Sequence, residues 1–283
     1  MREFFAIALI SLFLPLLACK KKSLAGAATR SFTAPNPATE GSLLTKEVDR
    51  FPDGDSLVIT YEYDAADRLT AMRKTGSLGY DTYYYRDGQE RITRTIVTQN
   101  NVADTLDNVA DTLDVWYADP VLGIVGHTIE HNGAPFDSAV YAYNQFHYTV
   151  CIAHYLLTAL PAQLGSADSV SYDPNGNVTA FRTFMPGAGG QFSLNLGYEF
   201  QYDNETNPLY SYDDCRMDTE GAGIISPNNQ LKQTNQYGDP PAMPDNYVTL
   251  TYQYRPDKKP QSATTGGTAV TADEVPVITY YYQ

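Results

Sequence analysis

Tyrosine is the residue type through which this chain could do chemistry: it holds 23 of them in 283 residues, many standing two apart. Tyr61 and Tyr63, Tyr83 and Tyr85, Tyr141 and Tyr143, and Tyr252 and Tyr254 are such pairs. Side chains alternate along a strand, so each pair puts both rings on one face, and successive strands can line up an aromatic wall. Such a wall either packs the concave side of a curled sheet, hydroxyls reaching its rim, or offers a platform to a sugar ring, a peptide or an acyl chain. These eight tyrosines are the candidate binding face.

Other groupings give less. His127 and His131 flank Glu130, but on a strand they stand about 13 Å apart at a rise of ~3.3 Å per residue, too far to share an ion. Asn132-Gly133 just after them is a hairpin turn signal, so they read as strand-face histidines. His147 and His154 have no evident partners. Asp173, Asn175 and Asn177 mimic the opening of a calcium loop, yet Val178 and Phe184 stand where that loop needs glycine and glutamate, and a hairpin turn is the better reading. Asp213, Asp214 and Asp218, like Asp53 and Asp55, read as solvated acidic turns. Neither a Gly-x-Ser-x-Gly elbow nor a Walker loop is present, and Gly187-Ala188-Gly189-Gly190 is a turn. No catalytic residue, metal or cofactor is assigned. Cys151 and Cys215 could pair outside the cytoplasm, although Cys151 in its apolar run suits a buried thiol equally well.

What must position the tyrosines is a recurring hairpin. Leu57 to Tyr63 is mostly β-branched or aromatic; Asp64-Ala65-Ala66-Asp67 then offers a type I turn, with Asp67 in the left-handed conformation that starts the return at Arg68. The unit recurs at Asp81 to Thr93 and at Asp168 to Thr179, where Asp173-Pro174-Asn175-Gly176 makes the clearest turn. The entry aspartates at 55, 81, 111, 137 and 168 are 26 to 31 residues apart, the spacing of a repeat architecture. Asn101 to Asp107 is duplicated at once as Asn108 to Asp114; poor helix propensity favours a loop or extended hairpin tip over an amphipathic helix. Cys151 to Leu160, ended by Pro161, fits a buried strand or a short helix.

At the start of the chain, Arg2 opens an apolar run that ends in Leu16-Leu17-Ala18-Cys19, too short for a spanning helix and suited to a cleaved signal. That tetrapeptide resembles the lipobox of bacterial lipoproteins, which implies that Cys19 carries the acyl chains. Lys20-Lys21-Lys22 would sit at lipid headgroups, and the stretch to Ser42, rich in Ala, Thr, Pro and Gly, reads as a flexible tether. The formal net charge of -14 argues against a nucleic-acid partner.

The order Tyr202-Asp203 to Pro208-Leu209-Tyr210, then Ser226-Pro227-Asn228-Asn229, then Tyr247 to Tyr254 and the terminal Tyr280-Tyr281-Tyr282 resembles a family of uncharacterised Gram-negative lipoproteins carrying a domain of unknown function. The hairpins are similar to the YD repeats of Rhs-type proteins, although only Gly176 holds the glycine those repeats place before the return strand. The resemblance implies a long antiparallel meander curled into an open barrel or half-barrel, with no established activity.

The expectation is an all-β protein of about 12 to 15 antiparallel strands. It comprises a signal peptide at 1–18, a lipidated cysteine and tether at 19–42, and one sheet domain at 43–283. The function expected is that of a membrane-anchored envelope lipoprotein, in the outer membrane and facing either side of it, that binds a glycan or lipid on its tyrosine face without being an enzyme. An alternative is a scaffold docking an envelope protein at its sheet edges; a glycan-active hydrolase comes third.

Overall fold

The computed structural model describes residues 43–75, 79–99, 111–119, 124–145, 148–158, 161–187, 190–208, 226–237, 246–269 and 275–283. The expectations for the signal segment, Cys19, the tether, residues 101–110, His147, Asp213, Asp214, Asp218 and Cys215 lie outside the described residues.

Sixteen strands run through the described residues. They are β1 (Leu44–Arg50), β2 (Ser56–Tyr63), β3 (Leu69–Thr75), β4 (Tyr80–Arg86), β5 (Ile92–Gln99) and β6 (Asp111–Asp119). There follow β7 (Ile124–Asn132), β8 (Ala134–Tyr143), β9 (Thr149–Leu156), β10 (Gln163–Tyr172) and β11 (Val178–Pro186). The last are β12 (Phe192–Thr206), β13 (Asn228–Tyr237), β14 (Tyr247–Tyr254), β15 (Pro260–Gly267) and β16 (Val277–Tyr282). Each pairs antiparallel with its neighbours in sequence, and β1 pairs with β16, so the meander closes into a barrel. Where the sequence suggested an open or half-open form, closure removes both edges and with them the surface on which an edge-docked partner would add a strand.

The aspartate-capped hairpin turns of β2–β3, β4–β5 and β10–β11 lie at the end of the barrel where β1 begins, called here the near end. Their local chemistry repeats. Asp64 accepts the amides of Ala66 (2.8 Å) and Arg68 (3.1 Å) on one oxygen and the Arg68 Nε (2.7 Å) on the other. Asp87 does the same for Gln89 and Arg91, and Asp173 for Asn175 and Asn177. The fourth residue of each turn is left-handed: Asp67 at φ 59°, Glu90 at 72°, Gly176 at 88° and, in the β14–β15 turn, Lys258 at 67°. The calcium-like triplet is thus a turn whose aspartate is engaged by backbone and side-chain donors.

Two ambiguous stretches contain strand among their described residues. Cys151 lies within β9, and Asp111 to Asp114, the end of the duplicated heptad, already belongs to β6, paired on both sides. A ladder partner on each side offsets the weak strand preference of Asp111 and Asp114.

Register assigns the faces. One face carries Ile59, Tyr61, Met72, Thr82, Val115, Thr128, Ala139, Ile152, Asp168, Val170, Phe181, Phe200, Tyr252, Ala263 and Tyr280, linked around the sheet by ladder pairing and by even spacing along each strand. Curling crowds the concave face, and this is the crowded one: Tyr61 is 6% exposed and Ile152 and Ala263 are 1%. The opposite, outer face leaves Tyr85 at 49%, Trp116 at 40% and Tyr281 at 42%. Two apolar clusters anchor the inner face. One joins Leu43, Leu44, Tyr61 and Leu69; the other joins Val170, Val178, Phe181 and Phe200.

Candidate functional site

The eight candidate tyrosines do not form one wall. Tyr61, Tyr63, Tyr141, Tyr143, Tyr252 and Tyr254 are on the inner face, whereas Tyr83 and Tyr85 are on the outer one. In the run Tyr83-Tyr84-Tyr85 it is Tyr84 that packs against the Leu44 and Leu69 cluster, because Tyr61 faces Met72 and Met72 faces Thr82, two residues before Tyr84. Three consecutive tyrosines carry no alternation from which the inner ring could be read. Tyr83 joins an outer ladder instead: Arg73 reaches Glu62 (2.5 Å), Asp81 (2.8 Å) and the Tyr83 hydroxyl (3.0 Å).

The inner tyrosines at the near end share one task. Strands joined at the far end diverge as they approach the near end, and the last aromatic of the second strand bridges to the first. Tyr63 donates to the Leu44 carbonyl (2.5 Å), Tyr117 to Ile92 (2.8 Å), and Tyr143 to Val125, Tyr172 to Thr149 and Tyr282 to Pro260 (2.9 Å each). Arg86 substitutes between β3 and β4, donating to Leu69 (3.0 Å). Between β11 and β12, Ser226 donates to the Tyr202 hydroxyl (2.9 Å) and accepts from the Val178 amide (3.0 Å). A buried carbonyl without a partner is costly, so each such clasp closes a seam that the ladder leaves short.

The seam between β13 and β14 departs from this pattern. Its ladder holds only Lys232 to Thr249, Gln233 to Val248 and Thr234 to Tyr247. Tyr254, at the clasp position, donates its hydroxyl to the Asp203 carboxylate on β12 and accepts only a long bond from the Asn229 side chain on β13 (3.4 Å). Asp203 also accepts the amides of Glu205 (2.9 Å) and Asn229 (3.2 Å) and the Asn229 side chain (3.4 Å). Burial, followed by the Asp203 carboxylate, raises the Tyr254 hydroxyl's pKa above the usual tyrosine range. Along this loosely held seam lies a cavity of about 470 Å³ lined by Gln201, Asp203, Leu231, Lys232, Thr249, Leu250, Thr251, Tyr252 and Tyr254.

Two groups of ionisable residues stand on the inner face away from that seam. Burial, and then the nearby charge of Asp49, push the Glu47 carboxyl up to about 8, although the Tyr61 hydroxyl bonds to it; burial pushes Asp49 up to about 6. Tyr252 and Tyr280 stack beside them, 6.5 Å between centroids. His154, without evident partners in the sequence, is held between Asp137 (3.2 Å) and Asp168 (2.8 Å), three residues on three adjacent strands. Burial opposes its protonation, but hydrogen bonds and charge from Asp168 and Asp137 outweigh it, and the pKa is raised. Alternation on β9 puts His154 on the face of Ile152, yet only register reveals which acids lie opposite.

His127 and His131 lie on the outer face. His127 stacks on Trp116 at 4.7 Å with planes 5° apart, and His131 pairs with Asp114 at 3.3 Å. Cys151 is half-buried on the same face, four residues before Tyr155.

Comparison with known proteins gives the fold a counterpart. A porin-like protein from Bacteroides uniformis aligns over 88% of this chain and 100% of its own at 14% identity, with a TM-score of 0.51. That likeness is one of fold. A second porin-like protein, from Bacteroides vulgatus, covers 86% of this chain and 99% of its own at 11% identity and a TM-score of 0.42. The Tc holotoxin pore of Photorhabdus luminescens covers 78% of this chain but 9% of its own, at 13% identity and a TM-score of 0.30. No family model and no curated protein matches the sequence.

A barrel of this kind meets a membrane with its wall only if one face is an apolar band about 25 Å tall. Neither face is. Glu47, Asp49, Lys74, Asp137 and Asp168 interrupt the inner one, and Arg73, Asp81, Arg94, Asp114, Arg182 and Glu199 the outer one, several as cross-strand ion pairs.

Proposed function

We propose that the protein is a lipoprotein of the bacterial cell envelope, held to the outer membrane through Cys19, and that its barrel is a non-enzymatic binding module for a glycan or lipid. The observation that carries the reading is the charge on both faces of the wall. Hydrocarbon would strip the water from those groups at a cost of several kcal/mol each, so the barrel stays in water and the membrane is reached by the lipobox instead. The porin-like fold of the neighbour supports an envelope setting. Tyrosines that are not consumed by clasps, Tyr252 above all, support a binding role.

Metabolic labelling with an alkyne fatty acid tests the anchor. The wild-type chain incorporates label and sediments with membranes, and Cys19→Ala abolishes both; an unlabelled wild-type chain overturns the anchor. Native mass spectrometry of protein gently extracted from envelopes tests the binding role. A retained glycan or lipid mass supports it, and bare protein throughout counts against it.

A further inference from the structure

We propose that the open seam between β13 and β14 is a saccharide site that takes a neutral pyranose ring from the outer side of the wall. The inference rests on the binding-module reading above and gives it a place and a ligand class.

Three observations carry it. The first is that the other seams of the near end are closed by a bond of 2.5–3.0 Å from a side chain reaching across them, while here Tyr254 donates sideways to Asp203 on β12 and its link to β13 is the long contact from the Asn229 side chain, at 3.4 Å. Asn228 to Leu231 on β13 and Leu250 to Tyr254 on β14 consequently face each other without a ladder pair, although all are among the described residues. The second is the cavity that results, about 470 Å³, inside the range of roughly 300–1,000 Å³ typical of small-molecule sites.

The third is how its lining divides. Gln201, Lys232 and Thr249 are consecutive register partners on the outer face, with Thr251 two residues on, and they form a polar rim. Leu250, Tyr252 and Tyr254 alternate with them and form an apolar, aromatic floor, the two rings 5.7 Å apart and 28° from parallel. A pyranose has the matching division, with axial C–H groups on one face and hydroxyls around its edge. Rings stack on the C–H face and the rim's amide, hydroxyls and ammonium meet the edge.

Charge narrows the class further. Asp203 already accepts from Tyr254, Asn229 and Glu205, so it fixes the floor and is not a counter-ion for a cation. Lys232 is the one cation among the lining residues and sits 4.2 Å from the Tyr247 ring centroid, a poor match to a multiply charged anion. A neutral, hydroxyl-rich ring with an apolar face suits what is left.

The test is isothermal titration of the mature chain with maltotriose, cellotriose and chitotriose. Three variants accompany it: Thr251→Trp, which fills the slot from its exposed rim; Gln201→Ala, which trims the rim; and Trp116→Ala, on the opposite region of the wall. Saturable binding of at least one trisaccharide, weakened at least tenfold by Thr251→Trp and severalfold by Gln201→Ala but unchanged by Trp116→Ala, supports the site. Thermal midpoints within a few degrees of wild type show that the barrel survives each change. Binding that ignores Thr251→Trp overturns the site while leaving a glycan-binding module elsewhere. Failure of all three sugars overturns the saccharide assignment, and the native mass spectrum then decides separately whether the module binds a lipid.

Discussion

The Tyr63 hydroxyl donates to the Leu44 carbonyl at 2.5 Å, and through that bond the last residue of one strand holds the first residue of its neighbour. Leu44 is fully buried, so its carbonyl has no recourse to water. The next residue, Asp64, caps the turn. The recurring Tyr-Asp dipeptide therefore does two jobs in succession: the tyrosine closes the seam behind it and the aspartate shapes the turn ahead. Tyr172 and Asp173 repeat the arrangement, and Arg86 and Asp87 reproduce it with a guanidinium in place of a phenol.

Removing one clasp hydroxyl exposes its worth. Tyr63→Phe and Tyr172→Phe each leave a carbonyl short of a donor, which costs about 1–3 kcal/mol. Tyr85→Phe, on an exposed outer ring, stays within about 0.5 kcal/mol of wild type. Urea midpoints at constant slope separate the two classes, and equal losses at all three positions would refute the clasp.

The left-handed turn position offers the opposite sign. Asp67 sits at φ 59°, where Gly176 sits at 88° in the equivalent turn. Glycine lacks the Cβ that makes this region unfavourable, so Asp67→Gly raises stability by about 0.5–1 kcal/mol. The reverse change, Gly176→Ala, is destabilising by more, since an added Cβ also meets the Tyr148 hydroxyl at 2.5 Å. Thermal denaturation of the pair checks both directions.

Those two predictions concern what the sequence already disclosed: the strand, turn and left-handed residue of each hairpin follow from short-range chemistry that neighbouring residues fix among themselves. Closure does not. β1 meets β16 across nearly the whole chain, and no local signal distinguishes a meander that closes from one that stops short. The clasps are legible only in part, because Tyr63 announces a strand end but not the carbonyl it will reach. Tyr83 and Tyr85 match the Tyr-x-Tyr pattern yet face outward, since Tyr84 between them is equally aromatic and the register from Met72 to Thr82 makes the choice. The open seam depends on Asp203, whose role on β12 is set by Asn229 and Tyr254 from two other strands. Each of these features is a pairing across strands, and pairing is what a single sequence states least directly.

The pH response of His154 follows from its two acids. Asp168 and Asp137 raise its folded-state pKa above the usual histidine value, so the stabilisation is fully present below about 6.5, the unfolded value, and is lost as pH rises through the higher folded one. Asp168→Asn removes the nearer partner, at 2.8 Å, and lowers the titration midpoint of the His154 ring. An NMR titration of the ring proton on wild type and variant reads the shift; a midpoint unmoved by Asp168→Asn would show that the contact does not govern the charge.

The Glu47 and Asp49 pair bends the stability curve in the same direction through different chemistry. Burial raises the Glu47 carboxyl from 4.5 to about 8, with the charge of Asp49 adding to it, so the folded barrel holds a proton that the unfolded chain releases. A raised folded pKa contributes stability that is complete below the unfolded value and lost as pH climbs through the folded one, which puts the decline between about 4.5 and 8. Glu47→Gln keeps an acceptor for the Tyr61 hydroxyl and a near-identical volume but cannot ionise. It should flatten the decline and leave the variant more stable than wild type at pH 9, while the two converge below about pH 4.5. Denaturant midpoints collected across that range supply the curve, and parallel profiles for the two proteins would mean that Glu47 is already ionised in the folded barrel at neutral pH.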